Sequence, residues 1–207
     1  MNGRAGSANH RTKADVLAQA AAFLITTLSD LFALALLLRG ALQWARAPAH
    51  DPLSGFVAAL TDWAVRPTRR VVPGWGRFDS ASLLLAWLTE LLQLWLLLQL
   101  GGRHFGPTIG AAGVALAALA LVQLVRLAIY VMMAALIVQA VLSWINPYSP
   151  LAPLLDYVTR PVLRPFRRLL PPIANVDLSP LFALIACQLL LILPVAWFEL
   201  SLGRLLF

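Results

Sequence analysis

Four stretches of this chain are too long and too apolar to be hidden inside a water-soluble core. They run from about Leu17 to Trp44, Ser82 to Leu100, Ile109 to Trp144 and Leu181 to Leu202, with few charges in any of them. At about 1.5 Å of rise per residue, a helix of each length covers a hydrocarbon core of roughly 30 Å. Charged residues make up 12% of the chain, about half the share of an ordinary soluble domain. These features specify an all-α integral membrane protein with four transmembrane helices.

The polar segments between the apolar runs repeat. Arg66-Pro67-Thr68-Arg69-Arg70-Val71-Val72-Pro73 recurs 98 residues later as Arg164-Pro165-Phe166-Arg167-Arg168-Leu169-Leu170-Pro171. Asp79 falls on Asp177 at the same shift, and Trp44 falls on Trp144 at a shift of 100. One unit written twice predicts two half-domains of two spans each. The chain then divides into a polar, mobile tail at 1–15, a first repeat at 16–100, a link at 101–116 and a second repeat at 117–207.

Each repeat carries an amphipathic connector. In the first, Phe56, Leu60, Trp63, Pro67 and Val71 recur at steps of three and four, with Asp62, Arg66, Arg69 and Arg70 on other faces. In the second, Leu154, Val158, Val162 and Phe166 oppose Arg160, Arg164, Arg167 and Arg168. This is the periodicity of a helix lying in the membrane interface. Proline lacks an N–H, so Pro67 is expected to begin a second short turn, and Pro161 and Pro165 argue against one straight helix. After the Pro171-Pro172 stop, Asp177-Leu178-Ser179-Pro180 reads as a helix start, with Ser179 as N-cap and Pro180 as the first helical residue. The run from Ile109 exceeds one bilayer, so 109–118 is expected to form a separate interfacial piece. The last span is expected to bend at Pro194.

Two spans per repeat put both termini on one face of the membrane and both connectors on the other, as parallel repeats about an axis along the membrane normal. Most of the arginines lie in the connectors. That bias favours a cytoplasmic location for them, although basic residues near the N-terminus pull the other way.

The net charge of +7 in a soluble protein would suggest nucleic acid. Here the arginines sit between apolar spans, so anionic lipid head groups are the partner implied, and nucleic acid is not. Arg66, Arg69, Arg70 and Arg160, Arg164, Arg167, Arg168 have the spacing to present guanidinium forks on one face. They form a candidate site for acidic phospholipid or a partner's acidic segment, or else anchor the connectors at the head-group layer. Asp79 and Asp177 suit helix capping better than catalysis, because no second carboxylate, histidine or nucleophile accompanies them.

Asp30, Glu90, Arg126 and Glu199 interrupt apolar spans, where an ionisable group is costly. Depths counted from Trp44 and Trp144 allow an Asp30–Arg126 pair joining the repeats, or a snorkelling Arg126. At the shift of 98, Glu90 corresponds to Gln188, which favours an interhelical polar contact. The tryptophans fall mostly near span ends, as interfacial belts do. No histidine lies in a span, no metal-ligand spacing is present, and the single Cys187 is expected to be a packing residue. No cofactor is implied. The first apolar run is too long for a signal peptide.

The strings VLSWINPYSP, RPVLRPFRRLLPP and VDLSP within Val141–Leu190 resemble the YggT family of small bacterial membrane proteins. The first repeat resembles it in degraded form, with Asp79-Ser80-Ala81-Ser82 in place of Asp-x-Ser-Pro. The resemblance implies a non-enzymatic protein of the bacterial cytoplasmic membrane, a scaffold or assembly factor that organises the envelope, with a protein partner or a homo-oligomer in view. A transport or channel component contributing to osmotic stress tolerance is the alternative.

Overall fold

The computed structural model describes residues 3–44, 52–72, 79–102, 109–146, 149, 151–169 and 179–206. Among these every regular element is helical: α1 (Gly3–Trp44), α2 (Pro52–Val71), α3 (Ser80–Leu100), α4 (Ile109–Ile145), α5 (Ala152–Leu169), α6 (Ser179–Leu190) and α7 (Ala196–Leu206). Four segments have the length and composition to cross a membrane: Asp15–Trp44, Ser80–Leu100, Ala112–Ser143 and Ser179–Arg204. The chain is a four-span helical membrane protein built from two parallel two-span repeats, with α2 and α5 as the connectors.

The two repeats build the same core. In the first, Leu36 of α1, Val65 of α2 and Ala81 and Ala86 of α3 are buried together with Leu124 of α4. In the second, Leu136 of α4 and Leu163 of α5 pack with Ala183 and Cys187 of α6. Leu36 and Leu136 stand 100 residues apart, the shift that relates Trp44 and Trp144. The connectors meet at the same end of the bundle, because Leu42 of α1, Val57 of α2 and Leu154 of α5 form one buried cluster.

Several local expectations are corrected. Helix α1 begins at Gly3, so the polar segment is continuous with the first span. Helix α4 is one element of 37 residues with no break near Ala118. Its first turns are held by Ala112, Ala115 and Leu116, which pack against Leu94 and Leu98 of α3. Pro67 starts no new helix, and α5 continues through both Pro161 and Pro165. All three prolines are exposed. The carbonyls they leave without an N–H partner therefore lie on the outer face, where water and head groups can bond them.

The last span widens into one π-helical turn, Leu191–Val195, around Pro194. A wider turn is a common way to absorb a proline inside a helix. At the end of α3 the chain turns on Gly102, whose φ of +62° suits glycine. Trp87 is no belt residue, for its Nε1 donates to the Ala117 carbonyl on α4 at 3.1 Å.

The apolar stripe on α2 also faces differently from a simple amphipathic reading. Val57, Thr61, Ala64 and Val65 are buried against the spans, whereas Phe56, Leu60 and Trp63 are exposed. Trp63 still touches Phe32 of α1, with ring centroids 5.5 Å apart. The exposed apolar residues of α2 therefore point away from the bundle.

Candidate functional site

The polar residues concentrate under the connectors. In the first repeat the centre is Arg39, about one and a half turns before the end of α1. Its Nη1 donates to Thr61 Oγ1 at 2.8 Å and to Asp62 Oδ1 at 2.7 Å, and its Nε lies 3.7 Å from Asp79 Oδ2. Thr61 is fully buried, and its hydroxyl donates to the Val57 carbonyl at 2.7 Å. Arg66 Nη2 binds the other Asp62 oxygen at 2.7 Å. Arg69 Nη2 reaches Asp79 Oδ2 at 2.6 Å and Gln43 Oε1 at 2.9 Å.

Asp79 ties this network to the next span. It is 2% exposed and caps α3, accepting from the Ser82 backbone N–H at 3.4 Å and from Ser82 Oγ at 2.7 Å. Burial pushes its carboxyl up, but the bonds from Arg69 and Ser82 outweigh that and hold it below the ordinary carboxylate range. The Asp62 carboxyl is also held low. The Arg39 bond contributes most, against the cost of burial and with help from Arg66.

The second repeat has the same arrangement with less charge. Gln139 stands 100 residues after Arg39 and Thr159 stands 98 after Thr61. Thr159 is fully buried, its hydroxyl lying between Gln139 Oε1 and the Leu155 carbonyl, 2.8 Å from the latter. Gln139 Nε2 donates to Asp156 Oδ1 at 3.4 Å, and Arg167 Nη1 reaches the same oxygen at 3.3 Å. Arg39, Thr61, Asp62, Gln139, Asp156 and Thr159 were not legible as a set from the connector motif. Their signal is positional: Arg39 with Gln139, and Thr61 with Thr159, at the shifts that relate the two copies.

The candidate arginines consequently separate into two groups. Arg66 and Arg69 are engaged within the first network, and Arg167 pairs with Asp156. Arg70, Arg160, Arg164 and Arg168 are exposed, and no hydrogen bond or ion pair to them occurs among the described residues. Pro165 lies inside α5, and Ser179 and Pro180 open α6. Pro171, Pro172 and Asp177 fall outside the described residues.

Within the spans, Arg126 pairs with Glu199 of α7, not with Asp30. Helix α4 packs along α7, so the acid on that neighbour takes the guanidinium. Neutralising either partner, as Arg126→Gln or Glu199→Gln, is expected to lower stability. A double-mutant cycle should show a coupling of about 1 kcal/mol, the ordinary scale for polar pairs between membrane helices. Additive effects in thermal unfolding of detergent-solubilised protein would contradict the pairing.

Glu90 is likewise reassigned. Among the buried residues of α3, Ser82, Ala86 and Glu90 have the same spacing as the buried residues of α6, Ser179, Ala183 and Cys187. The spans therefore correspond at a shift of 97, which places Glu90 opposite Cys187 and leaves Gln188 on the exposed side.

A sequence profile of the CCB3/YggT family matches residues 18–100 and 118–198, one segment in each repeat. The chain is 39% identical over 173 residues to the uncharacterized protein PA0392 of Pseudomonas aeruginosa, covering 83% of this chain and 86% of that one. It is 34% identical over 160 residues to the uncharacterized protein YggT of Escherichia coli, covering 77% and 80%. An uncharacterized Vibrio alginolyticus protein encoded in the proC 3' region is 32% identical over 167 residues, covering 80% and 88%. No solved structure matches the chain.

Proposed function

The chain belongs to the CCB3/YggT family, and on that premise we propose that it is a non-enzymatic scaffold or assembly factor of the bacterial cytoplasmic membrane that holds anionic lipid phosphate on α5. The observation carrying this reading is the row Arg160, Arg164 and Arg168, all exposed. Steps of four residues keep the three within an arc of about 80° and spread them over about 12 Å of helix. Guanidinium forks so placed suit several phosphates at the head-group level. The opposite face of α5 is fixed to the spans through Leu154, Val158, Thr159 and Leu163, all buried, so the row is presented on a held helix. On its counterpart α2, Arg66 and Arg69 are already paired with Asp62 and Asp79 of the same chain, so the two connectors are unequal in this role. The arginine bias of the connectors supports a cytoplasmic location for both, beside the anionic leaflet.

The test uses the full-length protein in neutral-lipid nanodiscs or micelles, titrated with short-chain phosphatidylglycerol and followed by tryptophan fluorescence. Arg160→Gln/Arg164→Gln/Arg168→Gln should weaken binding by at least about tenfold, roughly 1.4 kcal/mol. Added salt should weaken wild-type binding. Arg66→Gln should change it little. Unchanged affinity in the triple variant would overturn the reading, as would a response to an acidic peptide but not to the lipid.

A further inference from the structure

A second polar cluster lies within the spans, away from the connectors. Glu90 is 2% exposed and Gln93, one turn further along α3, is 4% exposed. Asp30 of α1 is half-buried, on a helix that packs along α3. The helix register sets its level against Glu90. Arg39 of α1 and Asp79 at the head of α3 are in contact. Nine residues back along the antiparallel α1 is Asp30, and eleven forward along α3 is Glu90, so the two lie at nearly one level.

All three side chains lack a donor. No hydrogen bond or ion pair to Asp30 or Glu90 occurs among the described residues, and the Gln93 Oε1 atom is buried without a hydrogen-bond partner. The cations on the elements around them are committed elsewhere: Arg39 of α1 to Asp62, Arg69 of α2 to Asp79, and Arg126 of α4 to Glu199. The remaining acids nearby, Asp62 and Asp79, belong to the connector network. Two carboxylates at one level of two packed helices, in hydrocarbon and with no counter-charge, cannot both be ionised at acceptable cost.

We propose that Asp30 and Glu90 form a proton-binding site within the membrane, in which the pair holds a proton that the α1–α3 contact requires, with Gln93 Oε1 as a further acceptor. A proton needs only two oxygens. An alkali ion stripped of water needs several around it, and the helical carbonyls of α3 are already bonded within the helix. This site is independent of the α5 arginines, and either inference can fail without the other.

The test is infrared spectroscopy of the full-length protein in nanodiscs, following the carbonyl stretch of un-ionised carboxyl groups across a pH series. Wild type should show this band at neutral pH. Glu90→Gln, which keeps the shape and removes the ionisable group, should lose it while folding normally. Asp30→Asn should displace the pH at which the band disappears, which a lone Glu90 would not show. No band in wild type, an unchanged band in Glu90→Gln, or no displacement in Asp30→Asn would each overturn the proposal. So would loss of the band on replacing choline chloride with sodium or potassium chloride at fixed pH, since an alkali ion would then be the occupant.

Discussion

Replacing Asp79 by asparagine is expected to cost about 3 kcal/mol of stability, the low end of the range for removing one partner of a buried ion pair. Asparagine is itself a good N-cap, so helix α3 keeps its cap and the loss reports the charge. Asp79 receives Arg69 at 2.6 Å and Ser82 Oγ at 2.7 Å, with Arg39 close by. Its removal leaves two guanidiniums facing an uncharged amide. The low end applies because Arg69 can turn to water and Arg39 keeps Asp62. Asp62→Asn should cost well under this, since its pairs are partly solvated.

The same residue sets an acid dependence with a definite sign. The folded carboxyl titrates below the ordinary value of 3.8. Its contribution is therefore present above that value and is lost as pH falls through the lower, folded one. Melting of the detergent-solubilised protein should show this acid loss in wild type and lack its Asp79 component in Asp79→Asn. Equal acid profiles would contradict the account of the network.

Truncating Leu163 to alanine is expected to cost about 3 kcal/mol, typical of a large-to-small change at a fully enclosed site. Leu163 is fully buried between Leu136 of α4 and Ala183 and Cys187 of α6. With Val162 and Phe166 beside it, it holds the middle of α5 to the spans. The equivalent Val65→Ala in α2 removes fewer methyl groups and should cost less. Tyr157→Ala, on the outward face of α5, should be nearly neutral. Leu163→Ala should also weaken binding of anionic lipid with every arginine intact, because a loosened helix no longer presents the row in one geometry. A stability loss no larger than that of Tyr157→Ala would mean that α5 is not docked as described.

The architecture was legible because the length of an apolar run and the period of an amphipathic one are local properties. Four spans, two connectors and the repeat follow from them. What was not legible depends on which helices are neighbours. Depth counted from Trp144 places Arg126 about 27 Å into the membrane, a level that Asp30 and Glu199 can both approach. Only the packing of α4 along α7 chooses Glu199. The rule that proline breaks a helix holds for a buried helix, whereas the prolines of α2 and α5 are exposed and the carbonyls they free face outward. Aligning the repeats on Asp79 and Asp177 matches Glu90 to Gln188. The first copy has one more residue between that aspartate and its serine, so the spans correspond at a shift one smaller. The paired positions Arg39 and Gln139 were in plain view, but an arginine near a span end reads as an interfacial anchor until Thr61 and Asp62 are seen beneath it.

The central claim is that α2 and α5 lie at one and the same surface of a four-span bundle, joined there through Leu42, Val57 and Leu154. Single cysteines at Arg70, Arg168 and Arg204 in a Cys187→Ala background, probed in intact and permeabilised cells with a membrane-impermeant maleimide, test it directly. The account predicts that Arg70→Cys and Arg168→Cys react from one side and Arg204→Cys from the other. Labelling of the two connector positions from opposite sides would contradict it.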